Sequence, residues 1–169
     1  MRRIAIDPAW GGPGSACAEF HADTLIRVWF DRGDKSITHE PTAVVIEMPQ
    51  ADNRSEHVSA DSLIKLSFAA GWIAGRYAER GHHVSMITPR KWKGNVPKPQ
   101  HHFATWRALR DAERQILGGR DTYDLIDAAC DKGAMNRWCK PGASYYPRGN
   151  TMHNILDAVA LGLHSIGRI

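Results

Sequence analysis

The chain has 169 residues, with 22 Lys and Arg against 18 Asp and Glu and a formal net charge of +4. Hydrophobic residues make up 43% of the chain, which excludes a disordered protein, and no apolar run approaches the roughly 18–20 residues of a membrane-spanning helix. Three cysteines are too few for a disulfide framework, and no secretion signal is visible. We therefore expect a cytoplasmic protein built as one domain over residues 1–169.

The first ninety residues contain five predicted strands. Alternating or continuous apolar runs are bounded by Asp-Pro, Gly-rich or Asp-Arg-Gly-Asp segments, as is typical of strands and turns. The fourth run, Ala43–Glu47, is short, apolar and β-branched, which indicates a strand buried on both faces. The predicted strands cover 2–7, 15–20, 24–30, 43–47 and 84–88.

Helical periodicity follows the fourth strand and dominates the second half of the chain. Apolar residues recur at every third or fourth position between 59 and 79, which predicts a helix of about five turns that ends at Gly81. Further helices are predicted at 101–117, 121–134 and 152–166, with a basic loop at 89–99. Strands followed by helices indicate an α/β protein with a mixed five-stranded sheet flanked by helices.

The basic charge is concentrated in one segment. Residues 76–120 contain ten Lys and Arg against three Asp and Glu, a net charge of +7, whereas residues 1–75 have a net charge of −3. The densest part comprises Arg90, Lys91, Lys93 and Lys98, with Trp92 among them. A basic cluster with an aromatic residue suits a nucleic-acid backbone and a stacked base, although a solvated lysine-rich loop has the same composition.

Three acids lie in otherwise apolar runs. Asp7 ends the first strand, Glu47 ends the fourth, and Asp157 follows the start of the last helix. Because an isolated buried charge is costly, such acids need compensation, and a divalent cation held by oxygen ligands is one form of it. Each acid alone also suits a turn, an ion pair or a first helical turn.

Two residues share a helical face with Asp157. His153 and Asn154 precede it by four and three positions. Either side chain is a candidate to complete the site, and either is also consistent with an ordinary first helical turn. A second acidic pair, Asp124 and Asp127, has the same spacing, but a solvated helix face explains it more simply.

The order of these motifs resembles the RuvC family of Holliday-junction resolvases, especially the compact type encoded by phages and prophages. The resemblance covers about residues 2–115 and 150–166. The motifs that carry it are Ile-Ala-Ile-Asp-Pro at 4–8, Val-Val-Ile-Glu at 44–47, Ala-Ala-Gly at 69–71, Ile-Thr-Pro at 87–89, Lys-Gly-x-x-x-Lys at 93–98 and His-Asn-x-x-Asp-Ala at 153–158.

This resemblance implies a ribonuclease H-like fold and a homodimeric endonuclease that resolves branched DNA. It implies two Mg²⁺ ions in each active site, replaceable by Mn²⁺, held by Asp7, Glu47, Asp157 and the position of Asn154. The family has Asp or His at that last position, so His153 or Asn154 completes the site here. Lys98, with Lys93, then offsets charge on the scissile phosphate, and the cut leaves 5′-phosphate and 3′-hydroxyl ends.

The sequence departs from the family at two places. No aromatic residue follows Glu47, so Trp10 or Trp92 is the candidate for stacking on junction bases. Residues 118–150 are longer than the usual connection and are a candidate lineage-specific insertion.

The sequence is also consistent with two other functions. The first is a nuclease of the same fold that acts on flaps, forks or RNA–DNA hybrids. The second is a non-catalytic DNA-binding module.

Overall fold

The computed structural model describes residues 1–32, 40–50, 59–135, 146, 147 and 149–169, with the side chains of 132–135 excepted. Within these residues the chain forms five strands and six helices. In chain order they are β1 (Arg2–Asp7), β2 (Ser15–His21), β3 (Thr24–Asp31), β4 (Ala43–Glu47), α1 (Ala60–Glu79), β5 (His83–Ile87), α2 (Pro89–Trp92), α3 (Lys98–Ala108), α4 (Asp111–Ile116), α5 (Arg120–Met135) and α6 (Met152–Ser165).

The five strands form one mixed sheet in the order β3-β2-β1-β4-β5. The first three strands form an antiparallel meander, and β4 then pairs parallel to β1, with Ile4 opposite Val44 and Ile6 opposite Ile46. β5 pairs parallel to β4 and brings Ile87 opposite Glu47. The carboxyl ends of β1, β4 and β5 therefore lie at one edge of the sheet.

Side-chain alternation along the strands divides the core into two faces. Ile4 and Ile6 face α1 and pack with its Ala70, Ile73 and Tyr77. On the opposite face, Ala5 and Val45 pack against Ala160 and Leu161 of α6 and against Trp92. The central strands are thus covered on both sides, as their apolar sequences predict.

Helix α6 is buried along most of its length and lies close to the sheet. Every residue from Ile155 to Leu163 is buried. A methyl group built at Gly162 would collide with the ring of Phe20 on β2, so the helix reaches this position only because residue 162 has no side chain. This approach fixes the height of α6 above β1 and β2.

The C-terminal end of α6 is also tied to the rest of the domain. The guanidinium group of Arg168 makes two parallel contacts with the Glu113 carboxylate, at 2.7 and 2.9 Å. The same carboxylate accepts hydrogen bonds from the backbone N–H groups of Leu25 and Arg110, at 2.8 and 2.7 Å. Glu113 therefore joins β3, the start of α4 and the segment after α6.

The segment predicted as a loop at 89–99 is partly helical. α2 covers Pro89–Trp92, and α3 begins at Lys98. Both start with a proline in the first turn, where its missing N–H has no helical partner and costs nothing. The predicted helix 101–117 is two helices, because the chain is extended at Leu109 and Arg110.

The candidate insertion 118–150 supplies α5 in its described part, and α5 packs against α3. Residues 136–145 and 148 lie outside the described residues. In the part of the chain that is described, no helix is both long and apolar enough to cross a membrane. The single-domain organisation and the cytoplasmic localisation stay predictions.

Candidate active site

The three acids singled out in the sequence come from three elements and lie toward the same end of the sheet. Asp7 follows Ala5 by two residues on β1, and Glu47 follows Val45 by two residues on β4, so both share the face that packs on α6. Asp157 lies one helical turn before Leu161, which packs against that face. Their common position follows from the parallel pairing of β1 with β4.

Glu47 has two partners from the segment after β5. The indole N–H of Trp92 donates a hydrogen bond to Glu47 Oε2 at 3.1 Å, and the Lys93 ammonium lies 3.5 Å from the same oxygen. Burial raises the pKa of Glu47, and Lys93 acts in the opposite direction. The short α2 helix thus delivers one donor and one cation to the end of β4.

Asp157 is buried and has partners on both carboxylate oxygens. The Lys98 ammonium lies 2.5 Å from Oδ2, and Nε2 of His102 lies 3.0 Å from Oδ1. Burial would raise the pKa of Asp157, but the His102 hydrogen bond and the Lys98 charge lower it well below its usual range. Asp157 is therefore ionised at neutral pH despite its burial.

Asp7 has the opposite electrostatic balance. Burial raises its pKa first, and the negative charges of Asp157 and Glu47 raise it further. Lys98 and Lys93 act against this shift without cancelling it. The three acids therefore influence one another strongly, and Asp7 is the one whose charge is least compensated.

His102 and Tyr146 extend the site and were not identified from the sequence. His102 is fully buried, and its Nδ1 contacts the Tyr146 hydroxyl group at 2.5 Å. Burial lowers the pKa of His102, with Asp157 acting in the opposite direction, and burial raises the pKa of Tyr146. No local sequence pattern identifies them, because their contacts join residues 44 and 55 positions apart in the chain.

The two residues proposed to complete the site lie in the first turn of α6 and are half-buried. The His153 ring stacks on Tyr146, with ring centroids 5.4 Å apart and planes inclined by 21°. Burial lowers the pKa of His153, and the positive charge of Lys98 lowers it further by a smaller amount. Asn154 remains a candidate ligand. The alternative acids Asp124 and Asp127 are exposed on α5, and Asp124 pairs with Arg120, as the solvated-face explanation predicts.

The basic residues of the segment divide into two groups. Arg90 and Lys91 are exposed on α2, whereas Lys93 and Lys98 are paired with the acids. The expectation that Trp92 offers its indole to a nucleic acid is not met. Trp92 is only 7% exposed, because its ring fills the core between the sheet and α6 while its N–H binds Glu47.

Trp10, the other candidate for stacking, is 55% exposed at the mouth of a cavity of about 460 Å³. Phe68 and Trp72 of α1 and Arg32 also line this cavity. The Trp10 and Phe68 rings meet edge to face, with centroids 5.8 Å apart. Three exposed aromatic rings thus surround one opening close to the end of β1.

The donor chemistry of the three acids fits a divalent cation. Carboxylate oxygens are the ligands that Mg²⁺ prefers, and a cation would relieve the repulsion that raises the pKa of Asp7. Among the described residues, however, no three His, Cys, Asp or Glu side chains form a group ready to hold a metal ion. The site therefore has the right ligand types, with lysine ammonium groups paired to two of the three carboxylates.

A mixed five-stranded sheet with an antiparallel meander, a parallel extension and flanking helices defines the ribonuclease H-like fold class. Among solved structures, the chain is similar to RuvC of Thermus thermophilus, with a TM-score of 0.50 and 17% identity over 97% of this chain and 92% of that one. It is also similar to T. thermophilus RuvC in complex with a Holliday junction substrate, with a TM-score of 0.46 and 16% identity over the same shares of the two chains. No protein-family model and no curated protein sequence matches the chain. The fold predicted from the sequence is thus confirmed.

Proposed function

We propose that the chain is a divalent-metal-dependent endonuclease that resolves four-way DNA junctions and related branched DNA. The observation that supports this proposal is the meeting of Asp7, Glu47 and Asp157 with Lys93 and Lys98 at one end of the sheet. Acids suit the binding of a metal, and nearby lysines suit the binding of a phosphate. One solved structure with a similar fold is that of Thermus thermophilus RuvC, a protein that has also been solved with a Holliday junction substrate.

In this proposal Asp7, Glu47 and Asp157 hold Mg²⁺ or Mn²⁺, two ions in each site, with Asn154 or His153 as a further ligand. Bound metal would supply an activated water and charge stabilisation at the leaving oxygen, giving 5′-phosphate and 3′-hydroxyl ends. Lys98 and Lys93 move from carboxylate to phosphate partners and offset the charge that develops there. Trp92 keeps Glu47 oriented from the core side.

The exposed cations and aromatic rings account for DNA binding in this proposal. Arg90 and Lys91 contact the phosphate backbone, which makes the affinity fall steeply with salt. Trp10 stacks on an unpaired base at the junction. One chain carries one set of acids, so paired cuts on two strands require a homodimer.

The proposal is tested with a panel of labelled substrates in Mg²⁺: a four-way junction, a Y-fork, a flap, an RNA–DNA hybrid and a linear duplex. We expect paired nicks in the four-way junction and no cleavage by the Asp7→Asn variant, which should still bind the junction. Preferred cleavage of the flap, fork or hybrid would show that the chain is not a junction resolvase but another nuclease of the same fold. Binding without cleavage of any substrate, in Mg²⁺ or Mn²⁺, would leave a non-catalytic DNA-binding module.

A further inference from the structure

A buried chain of polar contacts links three side chains from separate parts of the sequence. His102 of α3 is fully buried, with Nε2 3.0 Å from Asp157 Oδ1 and Nδ1 2.5 Å from the Tyr146 hydroxyl oxygen. Asp157 and Tyr146 are each only 5% exposed. Both nitrogens of the ring are thus engaged in a region that water does not reach.

The Asp157 carboxylate and the Tyr146 hydroxyl group determine which nitrogen of His102 carries the hydrogen. A carboxylate only accepts hydrogen bonds, so the Nε2 atom of His102 carries the hydrogen and donates it to Asp157. In the neutral ring Nδ1 is then an acceptor, and the Tyr146 hydroxyl donates to it. The three groups form a chain with a single direction, from Tyr146 through His102 to Asp157.

The far end of this chain is also packed. The Tyr146 ring stacks on His153, with centroids 5.4 Å apart, and lies 5.5 Å from the His102 ring centroid. Tyr146 therefore sits between two rings, one of them in the same first turn of α6 that precedes Asp157. Its hydroxyl group is held at one place relative to the imidazole.

The two oxygens of Asp157 have partners of different character. Oδ2 faces the Lys98 ammonium, whose side chain is 37% exposed, whereas Oδ1 faces a buried ring with no exposure. Lys98, at the margin of the site, can exchange Asp157 for another partner. The buried ring of His102 is held in place by the atoms packed around it. Each carboxylate oxygen also keeps a second lone pair for a cation.

We propose that Tyr146 and His102 are positioning residues that fix the rotation of the Asp157 carboxylate for divalent-cation binding. Hydrogen-bonded neighbours of ligating groups act in this way in metal sites generally, and their removal typically costs about 10–100-fold in metal affinity. The inference rests on the proposed function, because it assumes that Asp157 binds a metal. It assigns a role to two residues outside the predicted ligand set.

The test uses the full chain and Mn²⁺ as the probe, with affinity measured by calorimetric titration without DNA. Tyr146→Phe removes one hydroxyl group and keeps the stacked ring, and Tyr123→Phe, half-buried on α5, is the matched control. His102→Gln keeps a donor near the Nε2 position, whereas His102→Asn keeps a polar partner for Tyr146 and loses the donor to Asp157. Nitrogen-15 NMR of the wild-type imidazole reads its tautomer independently of metal.

We expect Tyr146→Phe to weaken Mn²⁺ binding about tenfold and Tyr123→Phe to leave it unchanged, with both proteins folded. His102→Gln should retain more Mn²⁺ affinity than His102→Asn, and the NMR spectrum should show the tautomer with hydrogen on Nε2. In cleavage assays the variants should need more metal for half-maximal rate. At saturating metal Tyr146→Phe should approach the wild-type rate.

Two negative results have different meanings. If wild-type protein binds Mn²⁺ and cuts junctions while Tyr146→Phe and His102→Asn have unchanged metal affinity, the positioning role is wrong and the proposed function stands. If the wild-type protein neither binds Mn²⁺ nor cuts any branched substrate, the proposed function fails and this inference fails with it. Hydrogen on Nδ1 rather than Nε2 would also overturn the positioning role.

Discussion

Trp92 donates its indole N–H to Glu47 across 3.1 Å and thereby joins the basic segment to the acid at the end of β4. The ring of Trp92 is packed between the sheet and α6, with Ala5, Val45 and Leu161 around it. The tryptophan therefore links the hydrophobic core to the orientation of a proposed metal ligand.

This contact predicts the effect of replacing Trp92. Trp92→Phe keeps an aromatic ring in the core but removes the donor to Glu47, so we expect about tenfold weaker Mn²⁺ binding together with slower cleavage at limiting metal. Trp106→Phe is the control, because Trp106 is about equally buried but packs in a different part of the core, away from Glu47. Calorimetric titration of both variants makes the comparison, and an equal loss in both would assign the effect to core packing.

Lys98 is expected to act on the phosphate rather than on folding. Lys98→Met keeps the aliphatic stem and removes the ammonium group that now faces Asp157, so we expect a loss of cleavage rate of about 10²–10³-fold with junction affinity reduced much less. Lys65→Met removes an exposed cation paired with Asp61 on α1 and should cleave normally. Single-turnover cleavage rates at saturating protein test this prediction. A wild-type rate for Lys98→Met would show that Lys98 does not contribute to the cleavage step.

The raised pKa of Asp7 predicts a dependence of stability on pH. Its ionisation is less favourable in the folded protein than in the unfolded chain, so the stability due to this group is present below a pH of about 4 and is lost as the pH rises through the raised pKa. In metal-free buffer containing a chelator, the Asp7→Asn variant should therefore have an unfolding temperature about 2–4 °C higher than that of the wild type at pH 8. This difference should become smaller as the pH falls toward 4.

The matched control for that measurement is Asp127→Asn on the exposed face of α5. Thermal unfolding of the control should coincide with wild type at both pH values. A lower unfolding temperature for Asp7→Asn at pH 8 would contradict the electrostatic balance described for the three acids.

Trp10 is expected to contribute to DNA binding without contributing to stability. Trp10→Ala should weaken junction binding about tenfold in the Asp7→Asn background, because stacking on one base contributes roughly 1–3 kcal/mol. Ile26→Ala, which removes an apolar side chain that is 44% exposed on β3, is the control. Fluorescence anisotropy with a labelled junction reads both variants, and unchanged affinity for Trp10→Ala would exclude this ring from the interface.

Replacing two helical glycines by alanine should change the free energy of unfolding in opposite directions. Gly162→Ala places a methyl group against Phe20 and should destabilise the protein by about 1–3 kcal/mol. Gly71→Ala on α1 meets nothing within 4 Å and should stabilise it by roughly 0.5–1 kcal/mol. Denaturant unfolding of the two variants measures both changes, and a neutral Gly162→Ala would contradict the close approach of α6.

The sheet was predictable because its signals are local. The run Ala43–Glu47 has the apolar and β-branched sequence of a buried strand, and the structure gives the same bounds. The segment after β5 was predicted less well because its prolines and lysines are typical of loops. Pro89 and Pro99 instead lie in first helical turns, where a proline is tolerated.

The acids were found from the sequence because a charge within an apolar run is conspicuous. Their partners were not, since a lysine-rich segment gives no sign that Trp92 is buried and that Lys93 and Lys98 pair with acids. His102 and Tyr146 are further still from any local signal, because their contacts exist only after α3 and α6 have packed together.

The three acids are far apart in the sequence, and they come together only when β1 has paired with β4 and α6 has packed on β1. They are also synthesised at different times. Asp7 is synthesised first, Glu47 forty residues later, and Asp157 a further 110 residues later. On a ribosome that adds about 5–20 residues per second, these acids are separated by many seconds of translation. A growing chain therefore carries no complete set of acids until residue 157 has emerged, and nuclease activity would report that the slow, long-range part of folding is finished.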